Sequence, residues 1–177
     1  MSSSATRYTF PIMKEAKQTI RGAEFRDVES IFRLIKTYPS ELLPRAVSDI
    51  IENIDRFLVC DFNGHIVGCV SWQILPELRA PLDPSVEIKS LAIKKSLRRA
   101  GIGTKLVLAA IRRVQQFHPA QIIALTFAPG FFRKLGFKKV AKRKLMHKIY
   151  LGCANCSKYD SPFTCPEIAM AMKLRDF

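Results

Sequence analysis

Apolar positions along the chain fall into short runs with strand and helix periods. Thr19 to Phe25 alternates as a first strand. Asp27 then precedes Val28, Ile31, Phe32 and Ile35 at helical spacing, with its charge beside the positive helix start. Pro39 ends that helix. After the loop Ser40 to Arg45, a second short helix runs through Ile50, Ile51 and Ile54. Phe57 to Asp61 and His65 to Ile74 read as strands joined by Asn63-Gly64, a dipeptide suited to a tight hairpin. Pro76 to Pro84 is a loop, since prolines punctuate it.

The strand Ser85 to Ile93 carries an irregularity. Val86 and Ile88 share one face, but Leu91 and Ile93 fall on the opposite parity. A period of two forbids this without an extra residue, so a β-bulge is expected near Lys89-Ser90. Next comes a helix to about Phe117, with Leu106, Ala110, Val114 and Phe117 on its core face and Lys105, Arg112 and Arg113 solvated. Ile122 to Phe127 is continuously apolar, as in a strand covered on both faces. Strand, helix and strand form a right-handed unit, which makes the two strands parallel. Pro129 to Leu135 is a short helix closed by Gly136, and Ile168 to Leu174 is a last strand. Met1 to Lys17 lacks periodicity and is expected to be a mobile tail, with one folded domain over residues 18–177.

Composition narrows the class. At 177 residues, 48% hydrophobic and 25% charged, the chain has the make-up of one ordinary globular domain. No apolar run is long enough to span a bilayer and no secretory signal opens the chain, so no membrane partner and a cytoplasmic location are expected. Cys60 and Cys69 lie in apolar strands and read as small buried hydrophobes. Cys153, Cys156 and Cys165 could bind zinc if His147 supplied a fourth ligand, but the spacing is irregular. We read them as free thiols and expect no metal.

A net charge of +14 fits either an acidic ligand or partner, or a solvated basic surface. The basic run Lys138 to Lys148 could contact RNA, but few aromatic residues are interleaved and no nucleic-acid motif accompanies it, so nucleic acid is not the expected partner.

The stretch with the clearest chemistry is Arg98-Arg99-Ala100-Gly101-Ile102-Gly103-Thr104. It lies between the bulged strand and the long helix. Glycines there let backbone approach a ligand closely, and a helix start offers free N–H groups and partial positive charge. Beside two arginines this forms a pocket for a phosphate or pyrophosphate. Neither the P-loop nor the dinucleotide-binding glycine pattern is matched.

The spacing of Arg98, Gly101 and Gly103 resembles the Q/R-x-x-G-x-G/A loop of the GNAT superfamily of acetyl-CoA-dependent N-acetyltransferases. Phe131-Phe132-Arg133-Lys134-Leu135-Gly136-Phe137 resembles that family's F-Y-x-x-x-G-F segment, with Phe132 where a tyrosine is common. The resemblance implies an α/β fold with a mixed, partly splayed sheet flanked by helices and a bulged central strand. It implies acetyl-CoA as co-substrate, its pyrophosphate held by the amides of residues 98–104 and its arm paired with the backbone of Leu91, Ala92 and Ile93.

A neutral amine would attack the thioester directly, since no nucleophile arrangement for an acyl-enzyme is evident. The Leu91 N–H would stabilise the oxyanion. Glu87 is the candidate base, directly or through water; otherwise it is an exposed strand carboxylate paired with a lysine. Phe132 has no hydroxyl to protonate the leaving thiolate, which can depart unprotonated.

The Leu42–Arg45 loop and the C-terminal tail resemble short stand-alone glutamate-acetylating enzymes of arginine biosynthesis. That likeness implies Arg45 as a carboxylate ligand, with Lys89 as a second cation. The chain has no room for the amino-acid-kinase domain of longer glutamate acetylators, so feedback through it is not expected. A homodimer is compatible with the sequence. Two readings compete with an acidic amino-acid acceptor: acetylation of a protein or peptide amine, and a non-catalytic basic module that binds nucleic acid or regulates.

Overall fold

The computed structural model describes residues 18–76, 84–153, 156 and 158–174. The expected N-terminal tail and most of the proline loop lie outside the described residues. Seven strands form one mixed sheet: β1 (Gln18–Gly22), β2 (Phe57–Phe62), β3 (His65–Leu75), β4 (Ser85–Ile93), β5 (Gln121–Thr126), β6 (Lys138–Lys139) and β7 (Ile168–Lys173). Their spatial order is β1-β2-β3-β4-β5-β7-β6. Among the described residues only β4 and β5 pair in parallel, and every other pairing is antiparallel. Among the described residues, helices α1 (Val28–Lys36), α2 (Val47–Glu52), α3 (Ile102–Gln115) and α4 (Pro129–Lys134) pack around the sheet, and a single turn, α5 (Met146–Lys148), follows β6.

Each element follows from local chemistry. Asn63 at φ 51° and Gly64 at φ 83° make the left-handed pair that a two-residue hairpin between β2 and β3 needs. Gly136 at φ 93° closes the turn after α4. Helices α1 and α2 bury Ile31, Ile35 and Ile50 against Phe57, Val59 and Cys69 on one face of the sheet. On the other face α3 buries Leu106, Ala110 and Val114 against Val70, Val86 and Ile122. Gly68 permits that approach: a Cβ there would lie 3.0 Å from Leu106 Cδ1 and 3.2 Å from Ile102 Cγ2.

Two boundaries differ from the sequence expectation. Phe25 leaves β1 and sits exposed in a single turn before α1, because Gly22 and Ala23 end the strand first. Phe117 is exposed rather than core, since α3 stops at Gln115 and the chain then turns away.

The central irregularity lies where the parity argument placed it. Cys69 pairs with Ala92 and Ser71 with Lys89, so Ser90 and Leu91 together oppose Val70 alone. Ser90 takes φ 54°, a strained value for a residue with a side chain. The bulge lets Leu91 and Ile93 continue on the α3 side with Val86 and Ile88, while Ala92 turns toward α1. Beyond it, β4 and β5 separate: their pairing covers only Ser85 to Glu87 against Gln121 to Ile123.

Candidate active site

A cavity of about 1220 Å³ fills the gap that β4 and β5 leave when they part. One end is walled by the glycine loop, the start of α3 and Phe131 of α4. The other is walled by Arg45, Asp49, Glu87, Lys89 and Lys148. Strand alternation explains the division. Val86 and Ile88 face α3, so Glu87 and Lys89 face the side covered by α2, where Arg45 lies.

At the glycine end, Gly101 caps α3 at φ 77° and Arg99 takes φ 70°. The first helix bond runs from the Lys105 N–H to the Gly101 carbonyl at 3.0 Å. The amides of Ile102, Gly103 and Thr104 are therefore first-turn donors without intrahelical acceptors, the arrangement that holds phosphate. A Cβ on Gly103 would meet Ile93 Cδ1 at 3.3 Å and Phe131 Cζ at 3.5 Å, whereas one on Gly101 meets nothing and is opposed only by φ.

The Arg98 side chain lines the cavity and has partners in the chain. Its guanidinium binds Glu41 by contacts of 3.1–3.3 Å and stacks 4.3 Å from the centre of the Tyr38 ring. An anion at this end would therefore meet mainly backbone donors. Gly103→Val is expected to abolish acetyl-CoA binding measured by calorimetry, with the fold retained; unchanged affinity would contradict the cradle.

The other end is a buried cluster of charges. Glu87 Oε2 lies 2.8 Å from Lys148 Nζ, with both side chains more than nine-tenths buried. Arg45 Nε lies 2.9 Å from Asp49 Oδ2, and its guanidinium sits 5.4 Å from the centre of the Phe57 ring. Neither contact has hydrogen-bond alignment, so Glu87 Oε2 and Arg45 Nε keep unmet hydrogen-bonding capacity. Lys89 Nζ donates to Gln73 Oε1 at 2.9 Å, a neutral partner. Burial lowers the pKa of both cations, with Glu87 acting against it; Asp49 does so most strongly for Arg45.

Sequence reasoning found Arg45, Glu87 and Lys89, and the structure brings them together. It missed Lys148, Glu167 and Tyr159, which line the same cavity. Lys148 lay hidden in a basic run that looked like solvated surface, and only the turns over residues 142–153 carry it inward. Glu87 is not an exposed carboxylate: it is buried and paired with that lysine. Burial pushes the Glu167 carboxyl above its ordinary range, with the charge of Glu87 adding to the effect.

Lys158 and Lys142 secure the segment bearing Tyr159 and Glu167. Lys158 donates to the carbonyls of Pro39 and Ser40 at 3.1 and 2.7 Å. Lys142 donates to those of Pro162, at 2.8 Å, and Cys165. Phe132 is buried edge-on between Phe131 and Phe137, at 5.2 Å from each ring centre. Cys153, Cys156 and Cys165 are free thiols lining the cavity, and no group of three His, Cys, Asp or Glu side chains among the described residues could hold a metal ion. Between Glu87 and Asp160 the chain contains no acidic residue.

No helix among the described residues is long and apolar enough to cross a membrane. Residues 53–139 match the family model of the acetyltransferase (GNAT) domain. An uncharacterized N-acetyltransferase of Chlorobaculum tepidum is 34% identical over 164 residues, covering 92% of this chain and 100% of that one. An amino-acid acetyltransferase of Mycobacterium tuberculosis is 24% identical over 151 residues, or 83% of this chain and 82% of that protein. N-acetylglutamate synthase from Neisseria gonorrhoeae, solved with coenzyme A and N-acetyl-glutamate, shares the fold with a TM-score of 0.71 at 21% identity. That match covers 92% of this chain and 36% of the other. With the glycine cradle at a helix start and a bulged strand parting from its neighbour, these likenesses place the chain in the GNAT family of acetyl-CoA-dependent N-acetyltransferases.

Proposed function

We propose that this enzyme transfers the acetyl group of acetyl-CoA to the α-amine of a small acidic amino acid, L-glutamate, for arginine biosynthesis. The observation that carries this reading is the cation cluster beside Glu87. Lys89 has a neutral partner, Arg45 keeps an unaligned Nε, and both line the acceptor end of the cavity. Asp49, Glu87 and Glu167 offset the charges of Arg45, Lys89 and Lys148 there, so an anionic acceptor is favoured by the donors left open, Lys89 Nζ and Arg45 Nε, rather than by a net positive charge. The Mycobacterium tuberculosis amino-acid acetyltransferase supports an amino-acid acceptor, and the N-acetyl-glutamate bound to the Neisseria gonorrhoeae synthase supports glutamate among them.

In this reading the loop of residues 98–104 holds the pyrophosphate, chiefly by the free amides of Ile102, Gly103 and Thr104, since the Arg98 and Ala100 amides donate to the carbonyls of Lys95 and Leu97. The β4 edge at Leu91, Ala92 and Ile93 orients the acetyl arm. Arg45 and Lys89 meet the acceptor's carboxylates, Arg45 by its planar fork and Lys89 as a point charge. Glu87 takes a proton from the acceptor ammonium, directly or through water, so that the free amine attacks the thioester carbonyl. The Leu91 N–H meets the oxygen as it gains charge. Phe132 cannot protonate the leaving sulfur, and a thiol pKa near ~8.5 lets it depart as thiolate. Thiol release from acetyl-CoA, followed with a panel of amino acids and peptides, tests the proposal. Turnover with glutamate is expected; transfer to peptides alone, or none to any acceptor, would contradict it.

A further inference from the structure

The bulge in β4 turns two consecutive carbonyls toward the same neighbour. Ser71 Oγ donates to the Lys89 carbonyl at 3.3 Å, and Cys69 Sγ donates to the Ser90 carbonyl at 3.6 Å. Successive carbonyls of a regular strand point to opposite sides. Ser90, at φ 54°, supplies the reversal. In a planar trans peptide the C=O and the following N–H point in opposite directions. The N–H groups of Ser90 and Leu91 therefore both point away from β3, where β5 has ceased to pair with β4. Successive amides turned to one side form a concavity for negative charge.

We propose that Cys69 and Ser71 are positioning residues that hold the Ser90 and Leu91 amides as a paired donor for the thioester oxygen. This rests on the acetyl-transfer reading of the site and extends it. Both side chains are fully buried on β3. Burial pushes the Cys69 thiol up to about 12, so it keeps its proton and remains a donor, while the Ala92 amide donates to its sulfur. Past the bulge, the Tyr38 hydroxyl donates to the Ile93 carbonyl at 2.7 Å. The strand is thus fastened on both sides of the strained residue, and the pair is preorganised for charge that develops during reaction.

Infrared difference spectroscopy with acetyl-dethia-CoA, an unreactive ketone in which a methylene replaces sulfur, reads the amide pair directly. With a ¹³C carbonyl label, the bound wild-type complex is expected to show the stretch shifted to lower wavenumber than in buffer. Cys69→Ala and Ser71→Ala should lose most of that shift. Their kcat should fall about tenfold, below the 10²–10³ typical of deleting a donor outright, with KM for acetyl-CoA unchanged. Cys69→Ser retains a donor and should stay near wild type. A shift equal in every variant, or a bound wild-type stretch that matches buffer, would overturn the positioning role; so would loss of the shift in Cys69→Ser, which keeps a donor at that position and reads the role even if an alanine variant fails to fold. Failure of wild type to bind the ketone would instead overturn the acetyl-transfer reading beneath it.

Discussion

Glu87→Gln is expected to lower kcat by about 10²–10⁴ and to change the shape of the pH–rate profile, leaving KM for acetyl-CoA near its wild-type value. The position explains why. Glu87 is the last residue of β4 in register with β5, and its side chain is buried in the cavity wall. An ammonium has no lone pair for attack, and this carboxylate stands beside two cations that would hold the acceptor. Lys148 tests the same arrangement from the other side. Lys148→Met leaves Glu87 buried without its partner, and losing one member of a buried ion pair typically costs ~3–5 kcal/mol. That variant should unfold at lower denaturant concentration, and Glu87→Gln, which leaves the Lys148 ammonium buried without an opposite charge, should lose stability as well, so its kcat is read on the folded protein. An unaltered rate and profile for Glu87→Gln across about pH 6 to 9 would remove the residue from the mechanism.

Arg45→Ala should raise KM for glutamate far more than for acetyl-CoA. Removing one partner of a desolvated charge pair typically costs ~2–5 kcal/mol, and the lower bound alone is about 30-fold. Asp49 already stands 2.9 Å from Arg45 Nε, so the arginine would meet a substrate carboxylate while still anchored to α2. Arg45→Lys should rescue little, because a point charge cannot reproduce the planar fork. Lys89 adds a pH dependence. Burial lowers its pKa, so its positive charge is lost at lower pH than an ordinary lysine's. KM for glutamate is thus expected to climb on the alkaline side before free lysine titrates, and Lys89→Arg should move that rise upward. Glutamate kinetics unchanged in Arg45→Ala would favour a peptide acceptor.

Much of this was legible in the sequence because strand and turn chemistry are local. Asn63-Gly64 names its own hairpin. The break in parity after Ile88 forces an extra residue, and the structure places it at Ser90-Leu91. The glycine loop was equally plain, since Gly101 must adopt a left-handed φ at the start of α3.

Contacts between distant residues were not legible. Lys148 pairs with Glu87 across 61 positions of the chain, and periodicity carries no information at that range. The partners of the Arg98 guanidinium, Glu41 and Tyr38, come from the segment following α1, and nothing local to the glycine loop names them. Phe117 continued the apolar stripe of α3 on paper, but the helix ended two residues earlier. Cys69 read only as a small buried hydrophobe, and its bond to the bulge follows from register alone.

The most direct test of the account is the wild-type acceptor profile. Saturation kinetics at fixed acetyl-CoA should compare glutamate with leucine and glycine, which keep the α-amine and α-carboxylate but lack the side-chain carboxylate. If Arg45 and Lys89 recognise that second carboxylate, kcat/KM for glutamate should exceed the others by at least about 30-fold, the equivalent of ~2 kcal/mol. Equal values for glutamate, leucine and glycine would contradict the acidic-acceptor reading.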